Sequence, residues 1–171
     1  MDLILFYIAS AVAIAATIMV VTGLNATHAL IYLIVSLLAV AVVLFVLGAP
    51  FAAALEVVVY AGAIMVLFLF VAMMLQVGEA VLPRERAWLR PRTWLGPAVL
   101  AFILFAEVVY VLADGQRPTS GAAVGPVDVG VALFGRYLLA VELAAFLLLA
   151  ALVAAYHLGR SYRIADGGNS V

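Results

Sequence analysis

Polar residues in this chain come in clusters, and between the clusters the sequence stays apolar for about twenty residues at a time. The apolar runs cover roughly 3 to 22, 27 to 47, 51 to 76, 94 to 113 and 136 to 158. Each is near the ~20 residues that a helix rising ~1.5 Å per residue needs to cross ~30 Å of hydrocarbon. Five crossings are predicted, and the punctuation between them agrees. Gly23-Leu24-Asn25 closes the first run, Gly48-Ala49-Pro50 makes a tight turn before the third, and Pro97 sits in the first turn of the fourth. Helices keep every backbone donor and acceptor bonded inside the span, as hydrocarbon demands. The fold class that follows is an all-α integral membrane protein with five transmembrane helices.

Two connections are long. Residues 77–93 hold Arg84, Arg86, Arg90 and Arg92, whereas residues 114–135 are rich in Gly and Pro and hold only Arg117, with Arg136 just beyond. Together with Arg160 and Arg163 on the tail, six of the eight basic residues fall on one side of a five-span chain. The positive-inside rule makes that side cytoplasmic, so the N-terminus is expected outside (periplasmic) and the C-terminus inside. Residues 77–93 then form a cytoplasmic loop and 114–135 a periplasmic one. Trp88 and Trp94 near one boundary, and Tyr110 and Tyr137 near the other, suit aromatic belts.

Composition sharpens the picture. The 171 residues are 70% hydrophobic and 10% charged, with a mean hydropathy of +1.34, a balance that calls for the lipid bilayer as solvent. A net charge of -1 gives no electrostatic case for nucleic acid. The absence of Cys removes thiolate zinc sites and iron–sulfur ligation, which argues against the chain itself carrying electrons. Met1-Asp2-Leu3 lacks the basic start of a cleavable signal, so the first run is read as a retained span. With no internal repeat, residues 1–171 are expected to form a single membrane domain, with 164–171 a flexible tail.

Candidate chemistry rests on carboxylates inside spans, because a charge at the helix centre costs roughly 2.5 to 3.5 kcal/mol on insertion scales. Glu56, Glu107 and Glu142 each fall five to seven residues from the predicted outer end of a span, at similar depth. They could form one polar layer; equally, each could reach the headgroups or pair with a cation of a neighbouring subunit. Glu56 is followed at i+4 by Tyr60 and then by Ala61-Gly62-Ala63, a carboxyl, a phenol and a Gly-weakened turn on one helix. That arrangement suits a proton path opened by helix distortion, and it equally suits ordinary packing through small residues, the commoner use of such a stretch. His28 and His157 map near the cytoplasmic boundary without further ligands at metal-binding spacing. No phosphate loop, dinucleotide fingerprint or Ser/His/Asp set stands out.

Read as a whole, the third run, Ala54-Leu55-Glu56-Val57-Val58-Val59-Tyr60-Ala61-Gly62-Ala63-Ile64-Met65-Val66-Leu67-Phe68-Leu69-Phe70-Val71-Ala72-Met73-Met74-Leu75, resembles the signature helix of subunit J of bacterial respiratory complex I, the relative of mitochondrial subunit 6. The similarity continues in Asn25-Ala26-Thr27-His28-Ala29-Leu30-Ile31-Tyr32-Leu33, in Trp94-Leu95-Gly96-Pro97-Ala98, and in Leu133-Phe134-Gly135 with Tyr137-Leu138-Leu139-Ala140-Val141-Glu142-Leu143. Arg136 stands where relatives commonly have Pro, which leaves the start of the fifth helix less defined.

The resemblance implies a non-redox subunit of an H+-translocating NADH:quinone oxidoreductase in the bacterial inner membrane, beside membrane subunits A, K and H and then the antiporter-like subunits. It places NADH, FMN, iron–sulfur clusters and quinone in or between other subunits, with none in this chain. It further implies a π-bulge near Tyr60 to Val66, whose conversion to regular helix opens a water path. Carried over, Tyr60, Gly62 and Val66 are gate positions, Glu56 is a polar neighbour, and Glu79, Glu107 and Glu142 are auxiliary acidic residues. Two alternatives stand beside this reading: a structural scaffold bundle of the same complex, and a free-standing transporter, which the lack of inverted repeats disfavours.

Overall fold

The computed structural model describes residues 2–23, 26–75, 91–113 and 123–166. In chain order the elements are α1 (Asp2–Thr22), α2 (Ala26–Val46), α3 (Pro50–Leu55), a π-helical stretch (Glu56–Ile64), α4 (Met65–Leu75), α5 (Pro91–Ala113), α6 (Pro126–Phe134) and α7 (Leu138–Asp166). The α3, π and α4 pieces follow one another without a break. Among the described residues five helices are long and apolar enough to cross a membrane: Leu3–Thr22, Ala26–Val46, Pro50–Met74, Trp94–Ala113 and Leu138–Gly159. The chain is therefore an all-α, multi-pass membrane protein. The basic connection, Glu79 and most of the tail lie outside the described residues.

Residues 1–125 form one compact unit. Its hub is α2, which packs along α1 and also meets α3, the π-helical stretch, α4 and α5. The core joins Val12 and Ala16 of α1, Val35 and Ala39 of α2, and Leu104 of α5. Ala9, Ala16 and Ala39 are fully enclosed. In lipid, hydrophobicity gives no net pull between helices, so association relies on small residues that admit close backbone contact and on buried hydrogen bonds. Both devices appear in this seam. Thr17 donates to the Ala13 carbonyl at 2.8 Å, and Ser36 reaches that same carbonyl at 3.2 Å. The two hydroxyl oxygens lie 2.8 Å apart, so either proton can serve the other hydroxyl in place of the carbonyl.

One local turn and a few long-range contacts fix the directions of the helices. After α2, the Gly48 N–H donates to the Phe45 carbonyl and the Ala49 N–H to the Leu44 carbonyl, both at 3.0 Å, with Gly48 at φ 86°. This is the Schellman ending, which needs a left-handed residue and so favours glycine. Pro50 then starts α3, where a missing N–H costs nothing. The Val124 N–H donates to the Gly48 carbonyl at 3.0 Å and ties the later chain to this turn. At the far end of α2, the His28 and Trp94 rings meet edge-on with centroids 6.1 Å apart. One turn further along, Tyr32 covers Gly96 so closely that a Cβ there would require the Tyr32 ring to shift. Because α5 begins at Pro91, Pro97 lies inside the helix rather than in its first turn, and the helix runs through it.

Residues 126–171 form a second unit. Here α6 occupies part of the long Gly/Pro-rich connection, and a turn at Gly135, Arg136 and Tyr137 leads into α7. The Tyr137 N–H donates to the Ala132 carbonyl at 3.0 Å, carrying the chain around the corner. Arg136 thus sits in the turn, and α7 starts two residues after it. Between Leu138 and Gly159, no residue of α7 is buried.

Candidate functional site: the π-helical stretch of the third span

The local sequence explains why α-helical bonding loosens where it does. Residues 52–54 are alanines, the best helix formers, and residues 65–75 are rich in Met, Leu and Phe. Between them stand Val57, Val58 and Val59, whose branched side chains crowd the preceding turn, and Gly62, which weakens a helix by ~1 kcal/mol. The α form is least favoured there, and there the carbonyls accept from five residues on instead of four.

Both ends of the stretch are smooth. Glu56 has φ -58° and ψ -45°, Met65 has φ -67° and ψ -36°, and both are ordinary right-handed helical values. The Glu56 N–H is shared between the Ala52 and Ala53 carbonyls at the entrance. At the exit the Met65 N–H is shared between those of Gly62 and Tyr60. No backbone group need go unbonded, which is the condition for irregular backbone at membrane depth.

Ala61 and Met65 are buried, and Glu56 and Gly62 are half-buried. The phenol-bearing Tyr60 is 51% exposed and Val66 44% exposed. A Cβ on Gly62 would stand 3.2 Å from the Val57 carbonyl oxygen, closer than most such contacts. Glu56 and Tyr60 are one turn apart, with no hydrogen bond between them.

The remaining carboxyls are placed differently. Glu107 lies six residues before the end of α5, as Glu56 lies six after Pro50, so both stand about 9 Å along the helix from its end. Their surroundings are separate. Across an apolar groove floored by α2, Val57 and Ala53 face Phe105 and Val108, while Glu107 is 5% exposed and turned toward α1. Glu142 is exposed on α7, in the second unit. Among the described residues no group of three or more His, Cys, Asp or Glu converges as a metal site would require.

Sequence reading overlooked the Thr17–Ser36 pair and the Tyr32–Gly96 contact. The signals were present: these hydroxyls are rare polar points within apolar runs, and Gly96 is the one glycine among the membrane-facing residues 94–113.

A multi-pass helical membrane protein with a π-helical segment inside one span is the class that fold and site define. Residues 16–158 match the family described as NADH-ubiquinone/plastoquinone oxidoreductase chain 6, and the chain belongs to that family. It is 59% identical over 160 residues to NADH-quinone oxidoreductase subunit J of Pseudomonas aeruginosa, covering 91% of this chain and 95% of that one. With the subunit J of Escherichia coli it shares 52% identity over 162 residues, 94% of this chain and 88% of the relative. The corresponding protein of Buchnera aphidicola (Schizaphis graminum) is 44% identical over 156 residues, with 91% and 96% covered.

Proposed function

We propose that the chain serves as the subunit J component of a proton-pumping NADH:quinone oxidoreductase in the bacterial inner membrane, with its N-terminus periplasmic and its C-terminus cytoplasmic. It sits beside subunits A, K and H, followed by the antiporter-like subunits. NADH, FMN, iron–sulfur clusters and quinone belong to other subunits or lie between them, in keeping with a chain that has no cysteine. Its own task is to couple quinone reduction to proton movement.

The observation that carries this reading is the shared Met65 amide at the end of a nine-residue π-helix. A donor already within reach of alternative carbonyls lets the backbone exchange partners without passing through an unbonded state, which hydrocarbon would penalise by several kcal/mol. Moving from five-residue to four-residue bonding takes up one residue of slack, about 100° of helix rotation. The rotation turns Val66 and the rest of α4 relative to α3 and frees a carbonyl beside Gly62 for water. Tyr60 and Glu56 then supply a hydroxyl and a carboxyl along the opened path. Glu79, Glu107 and Glu142 are auxiliary acidic groups in this scheme.

The test is proton stoichiometry in the assembled complex carrying Gly62→Leu or Tyr60→Phe. Fewer protons per electron with quinone reduction retained supports gating. Normal stoichiometry in both variants makes the chain a scaffold bundle within the complex instead.

A further inference from the structure

Glu107 is the one buried side chain among the described residues whose polar atoms have no hydrogen-bond partner, and both of its carboxyl oxygens are in that position. It continues the inward stripe of α5 formed by Leu100, Ile103 and Leu104, and the backbone of Ala9 on α1 lies beside it. Ala9 is fully enclosed and its side chain is only a methyl group; its backbone approaches the carboxyl without completing a hydrogen bond. The hydroxyls of the same seam are engaged elsewhere, Thr17 and Ser36 bonding each other and the Ala13 carbonyl.

Among the described residues no opposite charge faces Glu107 from any element packed on α5; the third span, across the apolar groove, carries only Glu56 and Tyr60 as titratable groups. On α1 the titratable groups are Asp2, at the helix start, and Tyr7, which is 62% exposed. On α2 they are His28 and Tyr32, held by Trp94 and Gly96 at the other end of α5. On α5 itself Arg92 is fifteen positions away, and Tyr110 is turned outward at 41% exposure. A cation from a neighbouring subunit can reach Glu142, which is exposed, and Glu56 only on its open side. It cannot meet Glu107 while α1 and α5 are closed on it.

We infer that Glu107 is a proton-binding site: with the seam between α1 and α5 closed at Ala9 the carboxyl carries a proton, and when the seam parts it exchanges that proton with water. An ionised carboxylate in hydrocarbon with no partner costs several kcal/mol, and a bound proton removes the charge. The way to water is short, because about 9 Å of helix separates Glu107 from the end of α5. Exchange is simple proton transfer: the carboxyl O–H bond breaks as a water oxygen accepts the proton, and the reverse step restores it. The site deepens the auxiliary role given to Glu107 above, but it stands apart from the π-helical stretch, and its protonation is read whether or not that stretch gates.

The experiment is infrared spectroscopy of the assembled complex in lipid, comparing wild type, Glu107→Gln and Ala9→Ser. The wild type is expected to hold a C=O stretching band of a protonated carboxylic acid that is lost in E107Q and shifts in D2O. A9S adds a hydroxyl to the residue whose backbone lies beside the carboxyl and is expected to move that band to lower frequency. A9S adds a single oxygen and so keeps the test alive if E107Q fails to assemble. Carboxylate bands in place of the acid band overturn the assignment. So does a Glu107 band that D2O never reaches or that A9S leaves unmoved. The readout is spectroscopic and is decided separately from the pumping assay.

Discussion

The backbone N–H of Met65 donates to the carbonyl of Tyr60, five residues back, and at the same time to that of Gly62, three residues back. A regular α-helix would direct it to Ala61, between the two. The Tyr60–Met65 relationship therefore marks the place where a helix with one residue of slack rejoins a regular one. On one side lies the Val57–Val59 run with poor helix preference; on the other lies α4, built from strong formers. The balance between the two bonding patterns is set by terms of about 1 kcal/mol each, so single side chains should shift it.

Gly62→Ala tests that balance most gently. Alanine favours the α form over glycine by about 1 kcal/mol, and its Cβ would press on the Val57 carbonyl in the π form. The π population relative to α is expected to fall about fivefold or more. Infrared spectra with a 13C label at the Val57 carbonyl read this as a shift of the labelled amide band toward the α position.

The pair Thr17 and Ser36 should couple α1 to α2 only modestly. Hydrogen bonds between membrane helices average about 0.6 kcal/mol in double-mutant cycles, because the separated helices also find partners. A cycle of Thr17→Val and Ser36→Ala, followed by reversible unfolding in mixed micelles, is expected to give coupling below about 2 kcal/mol. A larger value would mean that the seam has no alternative partners for these hydroxyls.

Gly96→Ala should be more damaging than either. Its Cβ would overlap the Tyr32 hydroxyl, and overpacking of this kind costs about 1 to 3 kcal/mol. Tyr32→Phe in the same chain removes the overlapping oxygen but leaves Cζ 3.3 Å from the new methyl. Partial recovery of stability is therefore expected, with full recovery only when residue 32 is smaller than Phe.

The five spans were legible in the sequence because a bilayer leaves so little choice. The predicted runs agree with α1, α2 and the Pro50–Leu75 helix to within a residue or so. The fourth helix begins earlier than its apolar run, at Pro91, a residue suited to a first turn, and this puts Pro97 inside. Helix α6 escaped notice, since nine residues are too few to register as a span. A π-bulge was expected from family resemblance alone, and the π-helix begins four residues before Tyr60. Periodicity is blind to such a feature, because one added residue shifts the phase of an apolar helix without changing its composition. Carboxyl depth could be counted from sequence, but partner geometry could not. Only tertiary packing distinguishes Glu107, sealed against Ala9, from Glu142, exposed on α7.

The claim that most needs testing is that the backbone around Gly62 has two bonding patterns and uses both. Determining the complex in lipid at rest and during turnover, and assigning the acceptor of each amide from Ala61 to Met65, addresses it directly. Five-residue bonding is expected in one class of particles and four-residue bonding in another, with Val66 rotated and water beside Gly62 in the second. The same pattern in every class, with the stretch dry throughout, would contradict it.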